Sequence, residues 1–430
     1  MRPITALILI LLVYGIAESQ ETGEKLRDIE TRVERILLEN ILPFWHPETI
    51  DAENGGYRFN HDIQGQWLGA APKSLVTQAR AVWFFSRLYN DGYGTEEHLE
   101  AARRGFEFLR DRMWDRVFGG FFWEMDDTGR IGNKPHKHLY GQAFALYGLS
   151  EYIQATQDTS AGRLADELFG LLEEHAYDGE YGGYREWFLR DWGEAPPEQS
   201  YLANPPDGKL MNTHLHLMEA FTSYYLASGD ELVRERLLEL ILVQSNAVVR
   251  KDLGACTDKY ERDWTPLLTP EFARVSYGHD IENVWLLVEA CEAAGLANGV
   301  LLDLYRQLMS YSVDFGFDYE LGGFFNSGHF AAPADDRRKV WWVQAEGLVA
   351  ALYMYKLTGE ERNFSVFTQT LDWIEAYQVD WENGDWYAVI EADGTPSGGK
   401  AHLWKSPYHN GRAMLQCLQL LKGLINTREE

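Results

Sequence analysis

The chain has 430 residues, 45% hydrophobic and 24% charged, a composition that excludes a disordered or fibrous protein and allows a sizeable core. Its formal net charge of −27 excludes nucleic acid and anionic membrane surfaces as partners, since both would repel it. A neutral small molecule is the expected ligand, and the 15 Trp and 23 Tyr suit sugar faces as well as cores.

At the N-terminus, Arg2, the apolar run from Ile4 to Ile16 and the small residues Ala17 and Ser19 read as a secretory leader cleaved after Ser19. The run is too short to span a bilayer comfortably, so residues 20–430 are expected to be exported, free of the membrane, and to act as a monomer or weak homodimer. Cys256, Cys291 and Cys417 are too few and too far apart for a disulfide framework and read as buried thiols.

From residue 20 onward a glycine turn recurs: Gly55-Gly56-Tyr57, Gly119-Gly120-Phe121, Gly182-Gly183-Tyr184, Gly254-Ala255-Cys256, Gly322-Gly323-Phe324 and Gly384-Asp385-Trp386, the fourth and sixth copies being degenerate. A period of about 66 residues marks a repeated supersecondary unit. Between the turns, Leu, Ala and aromatics keep helical spacing, as in Phe144, Leu146, Tyr147 and Leu149. Each unit has room for two helices and a short hairpin around the glycines. Six helical hairpins predict a single all-α domain over 20–430, an (α/α)6 barrel. Closure is preferred to an open solenoid because the last unit stays apolar through Leu415, Leu418, Leu420 and Leu421, where a terminal cap would turn polar.

The stretch from Ser276 to Glu282 reads as a helix start, with Ser276 or Asp280 available to cap its amides. His279 and Glu282 are three apart and share a face, and an imidazole beside a carboxylate is a tunable proton carrier. Arg80, His279 and His409 each lie 25 residues after the first glycine of their repeat, and Glu346 lies 24 after. Equivalent stations in a ring point at one axis, so these four are expected to converge. Tyr140, Asn212 and His216 come from the second and third repeats at other offsets. Asn212, His216 and Glu219 share a helix face suited to hydrogen bonding with hydroxyls, while His214 and His216 point to opposite sides, against a metal reading. With no Cys cluster and no metalloprotease-type helix, neither a metal nor another cofactor is expected.

The segments Arg80 to Ser86, Tyr140 to Phe144, Asn212 to Glu219, Ser276 to Trp285, Trp341 to Gly347 and Trp404 to Arg412 resemble the N-acylglucosamine 2-epimerase superfamily, and within it the cellobiose 2-epimerases. The resemblance spans nearly the whole mature chain and is most specific at Tyr277-Gly278-His279-Asp280-Ile281-Glu282 and Pro407-Tyr408-His409-Asn410-Gly411-Arg412. It implies the same barrel and epimerisation of a reducing-end sugar at C2, with two histidines as acid/base catalysts and no metal or nicotinamide. Matched position by position, it makes His279 and His409 the catalytic pair and gives His216 a part in ring opening. Arg80, Tyr140, Asn212, Glu282, Trp341, Glu346 and Trp404 would line the sugar site, with Trp404 supporting a second hexose. Arg80 would stabilise an oxyanion at O1 or O2, and Glu282 would orient His279 and favour its charged form. Asn283-Val284, Ala413-Met414 and the leader depart from the family pattern, which leaves substrate preference and location open. Mannose epimerisation, aldose-ketose isomerisation and N-acylglucosamine epimerisation stay open alongside the disaccharide reading. So do an inverting glycoside hydrolase using Glu282 and Glu346 and a sugar-binding protein without catalysis.

Overall fold

Six helices of this chain are buried on every side and their partners on one stripe only, and that difference sorts them into an inner and an outer ring. The computed structural model describes residues 23–196 and 207–429; the leader expected at 1–19 lies outside them. The inner ring is α2 (Leu75–Asn90), α4 (Leu139–Thr156), α6 (Met211–Ser228), α8 (Tyr277–Ala294), α10 (Trp341–Thr358) and α12 (His409–Glu429). Packed outside them are α3 (Glu96–Phe108), α5 (Thr159–Leu171), α7 (Glu231–Leu242), α9 (Leu302–Gly316) and α11 (Glu361–Trp373). The helical run over 23–45, here α1, packs on α12, so the sixth hairpin is made from the two ends of the chain. Each inner helix touches the next, and α12 returns to α2, so the ring is closed as the repeat predicts. The three cysteines are buried and unpaired, as expected.

The ring is also clasped at one end. The residues before each inner helix pair antiparallel with residues after the next glycine turn: Lys73–Ser74 with Glu124–Met125, Lys137–His138 with Trp187–Phe188, and Lys209–Leu210 with Lys259–Tyr260. Arg274–Ser276 with Ser327–His329 and Lys339–Val340 with Val389–Ile390 continue the series, and a bridge from His61 to Ala401 completes it. The N-terminal ends of all six inner helices therefore open on this clasped end.

Each glycine turn is locked from two sides. In five repeats an Asp four residues before the first glycine takes a buried lysine: Lys73 to Asp51 at 2.7 Å, Lys137 to Asp115 at 3.2 Å, Lys209 to Asp178 at 2.9 Å, Lys339 to Asp318 at 2.8 Å and Lys400 to Asp380 at 2.6 Å. Each lysine also donates to a glycine carbonyl of the turn. From the inner helix comes a second lock, in which Gln78, Gln142 and Gln344 each hold both backbone groups of the aromatic after the glycines. His214 does the same work in the third repeat, its Nε2 accepting from Tyr184 N at 3.0 Å. Asp280 does so in the fourth, accepting from Cys256 N at 3.1 Å. The expected capping at this helix start is therefore wrong: Asp280 is committed to the loop, and Ser276 makes no side-chain cap bond. In the sixth copy Asp385 adopts φ 56° where most copies have their second glycine. Asn410 and Trp45 bond one of its carboxylate oxygens at 2.6 and 3.1 Å and Lys405 the other, which compensates a conformation that favours glycine.

Because His214 stands where three other repeats use Gln, His214→Gln should fold and keep the lock. Burial drives His214 down to about 3, so between pH 6.5 and 3 only the unfolded chain takes its proton and stability falls as pH drops through that window. The variant lacks this penalty. It should match the parent at pH 7.5 and exceed it by about 2 kcal/mol at pH 5, read from urea unfolding at both values. An unchanged pH dependence would count against the neutral assignment.

Candidate active site

The sixth residue of α2, α4, α6, α8 and α10 is Arg80, Phe144, His216, Glu282 and Glu346 in turn. Arg412 completes the layer, since it follows the loop-holding Asn410 by two, as Glu346 follows Gln344 and Arg80 follows Gln78. The four residues expected at one station therefore fall into two layers. Arg80 and Glu346 belong to this ring, whereas His279 and His409 sit three residues earlier on their helices, one turn nearer the clasped end. Counting from the glycines merged the layers because the segments between turn and helix differ in length.

Arg412 is the centre of the inner layer. Its guanidinium donates to Glu219 Oε1, to Glu282 Oε1 at 2.7 Å and to Glu346 Oε1 at 2.8 Å. Each of two histidines stands against one of these carboxylates. His409 Nδ1 lies 2.7 Å from Glu346 Oε1, and His216 Nδ1 lies 2.9 Å from Glu219 Oε2. A carboxylate only accepts, so Nδ1 carries the proton in both rings and Nε2 is left as the basic nitrogen. Glu346 also accepts from Trp285 Nε1 at 2.9 Å, and Glu219 from Tyr408 Oη at 2.6 and 2.7 Å.

One cation cannot neutralise three buried carboxylates, and the acids divide accordingly. Burial opposes the charge on Glu219, but Arg412, His216 and Tyr408 hold its pKa down to about 2. Burial and the charge of Glu346 push Glu282 up to about 7. Burial lowers His409 and His216, with the Arg80 charge adding to the effect, and burial brings His279 down to about 4. All three imidazoles are therefore neutral at pH 7. Glu282, Glu346 and His409 offer ligand atoms within 4.8 Å of one another, but Arg412 already bonds both of these carboxylates and supplies the cation there.

The expected pairing of Glu282 with His279 is not formed. Glu282 reaches the barrel axis and Arg412, while the His279 ring lies 4.8 Å from that of Trp342. Burial, with no carboxylate bond against it, favours the neutral ring rather than the imidazolium expected. Trp342 also lies 5.8 Å from His409, so one indole touches both rings. Arg80 stacks on Phe144 at 4.0 Å and Tyr408 at 4.4 Å, and its Nη2 donates to Tyr140 Oη at 3.1 Å. Tyr140 stands edge-on to His216 at 5.3 Å. Trp341 is buried, with its ring 6.3 Å from His409. Trp404, 40% exposed, stands at the mouth 6.3 Å from Tyr140. Arg80 Nε, Asn212 Oδ1, Glu282 Oε2 and Trp341 Nε1 are buried without a hydrogen-bond partner among the described residues, a set of donors and acceptors that suits hydroxyl groups. A cavity of about 340 Å³ opens beside His279, walled by Trp342, Lys259 and Asn326.

Nine of the ten expected residues are thus joined by contacts at one mouth, and Asn212 stands on the same helix as His216, one turn nearer the clasped end, around a centre outside the expected set. Arg412, Tyr408 and Trp342 were omitted, and Glu219 was read only for its helix face. One signal was available: Tyr408 and Arg412 are four apart at a helix start and so share a face with each other.

Fold and mouth together define an (α/α)6-barrel protein with a site built for a polyhydroxylated ligand. Residues 55–413 match the N-acylglucosamine 2-epimerase (GlcNAc 2-epimerase) family, and the chain belongs to it. Cellobiose 2-epimerase of Bacteroides fragilis is 32% identical over 91% of this chain and 98% of its own. The structure of cellobiose 2-epimerase from Bacillus thermoamylovorans superposes with a TM-score of 0.85 at 30% identity, covering 91% of this chain and 99% of that one. D-mannose isomerase of Marinomonas mediterranea is 24% identical over 90% of this chain and 96% of its own.

Arg412→Met should leave Glu219, Glu282 and Glu346 buried without a cation and cost about 3–5 kcal/mol of stability at pH 8 in urea unfolding. The deficit should shrink at pH 5, because the stranded acids then take up protons in the folded state while the parent's Glu219 stays ionised down to about 2.

Proposed function

We propose that the protein is a sugar 2-epimerase that interconverts the reducing-end glucose and mannose units of β-1,4-linked disaccharides. The observation that carries this reading is two neutral histidines against one indole at a single mouth, with a buried arginine beside them. Removal of a C2 proton requires an open ring, so that the C1 aldehyde can take up the developing charge. His216, fixed by Glu219, and Asn212 assist that opening. One of the pair His279 and His409 then takes the C2 proton and the other returns one to the opposite face, through a cis-enediolate. Imidazole suits both tasks because it trades one proton near neutral pH. Arg80 stabilises the oxyanion, and its stacked guanidinium needs little reorganisation to do so. Glu346 fixes the His409 tautomer, Glu282 and Tyr140 bind hydroxyls, and Trp341 and Trp404 give the sugar rings apolar faces. Each proton transfer uses a side chain of this one chain, so a monomer suffices, and the leader pattern at 1–19 supports export.

Protonation of the same intermediate at C1 gives the ketose, and the D-mannose isomerase relative supports a minor activity of that kind. An inverting hydrolase is disfavoured. It needs carboxyls about 6.5–9.5 Å apart with sugar and water between them, whereas Glu282 and Glu346 share one guanidinium nitrogen.

In deuterated water with cellobiose, mannose and N-acetylglucosamine supplied separately, proton NMR should show C2 exchange fastest for cellobiose. His279→Asn and His409→Asn should each cut that exchange by about 10²- to 10⁴-fold with thermal unfolding unchanged. Retained exchange in both would overturn the assignment, and glucose released from cellobiose would revive the hydrolase.

A further inference from the structure

On the clasped face, the turn 61–67 projects Trp67 into solvent with half its surface exposed. Trp67 walls an open groove of about 400 Å³ whose other side chains are mostly polar. The Arg58 guanidinium, half-buried, lies 4.8 Å from the Trp67 ring centroid and stiffens the indole from one side. Arg58 Nε donates to the Glu48 backbone carbonyl at 3.1 Å, the Glu48 side chain lines the same groove, and the side chains of Gln64 and Gln66 stand exposed there. His61, only 5% exposed, lines the same groove, and its buried Nδ1 has no hydrogen-bond partner among the described residues. An aromatic plate, planar amides, one arginine and one glutamate of opposite charge and an unsatisfied imidazole nitrogen match an uncharged polyhydroxylated ligand. They do not match an ion, for which the groove holds no net charge.

The groove is tied to the mouth. His61 N donates to Ala401 O at 2.9 Å and Lys400 N to Asp62 O at 3.1 Å, so the turn carrying Trp67 is bonded to the segment leading to Trp404. We propose that the Trp67 groove is a second binding site, which holds the distal part of a neutral β-linked oligosaccharide whose reducing end occupies the catalytic mouth. The position of that reducing end rests on the epimerase reading; the groove's affinity for neutral glycan does not.

The test uses the full chain and Trp67→Ala, with Trp67→Tyr as the conservative control. Trp67 is exposed and belongs to no packed layer, so both variants should fold. On cellobiose, kcat/KM of Trp67→Ala should stay within about twofold of the parent, while KM for cellohexaose rises about fivefold and Trp67→Tyr recovers most of the difference. In a native gel containing glucomannan, the parent and the inactive His409→Asn variant should both be retarded and Trp67→Ala should not. Equal cellohexaose KM values and equal retardation in parent and Trp67→Ala would overturn the proposal. If C2 exchange fails on every sugar but Trp67-dependent retardation persists, the epimerase reading falls and the groove stands. If exchange holds and Trp67→Ala changes neither measurement, the groove alone falls.

Discussion

The structure of the mouth depends on one constraint: a single buried guanidinium must satisfy three carboxylates that converge on the barrel axis. Charge is expensive in such a place, and a lone carboxylate there would take up a proton. Arg412 and the neighbouring donors hold Glu219 down to about 2, whereas burial outweighs Arg412 at Glu346 and raises it, and burial with the charge of Glu346 pushes Glu282 up to about 7. Arg80 brings a second guanidinium to the same layer. The Tyr408 ring lies between the two guanidinium groups, 4.4 Å from one and 4.1 Å from the other, and keeps them apart. The basic nitrogen of His409 and His216 follows from these contacts, since each ring takes its tautomer from the carboxyl group it faces, Glu346 or Glu219.

The repeat was legible because it is imposed by backbone geometry. A turn that needs positive φ admits few residues besides glycine, so six turns leave six marks in the sequence even where two are worn. Helical spacing between the marks gave the hairpins, and an apolar last unit gave closure. The pairing of the chain ends was not legible, because units counted from their glycine turns leave α1 ahead of the first unit, and its place is set by contacts such as Asn40 to Asp380 O across the seam. Nor were the π turns that end several outer helices, such as Leu109–Met113 and Leu172–Ala176, since one extra residue per turn leaves no mark in composition.

Site residues were legible where a repeat offset or a shared helix face marked them. Arg80, His279 and His409 stand out by their common offset of 25 residues from the glycine turns, and His216 by the face it shares with Asn212 and Glu219 and by the family resemblance. Partnerships were not, because they depend on which layer a residue occupies. Three residues of separation made Glu282 the evident partner of His279, yet helical neighbours compete with residues across the barrel, and Arg412 offers a buried carboxylate far more than a neutral imidazole does. Asp280 shows the same competition: its caps were available locally, and the Cys256 amide across the loop won.

The charge cluster persists because of what lies beneath it. The ninth residues of α2, α4, α6 and α8 are Trp83, Tyr147, Glu219 and Trp285, so three of these four positions carry large aromatics. Trp83 and Tyr147 stack at 5.1 Å, and Trp285 stacks on Tyr353 while bonding Glu346. Below them a cavity of about 400 Å³ opens toward the far end of the barrel, lined by Glu151, Glu289 and Arg87 and reaching up to Arg412 and Glu219. This aromatic floor narrows the opening between the polar lower cavity and the layer in which Arg412 sorts the acids, leaving Arg412 and Glu219 at the cavity's upper end. Without it, water from below would solvate all three carboxyl groups alike, and the environments that lower Glu219 and raise Glu282 and Glu346 would converge. The mouth can hold neutral imidazoles beside an ionised Glu219 because loops held with buried lysines frame the layer on one side and aromatic rings fill most of the other.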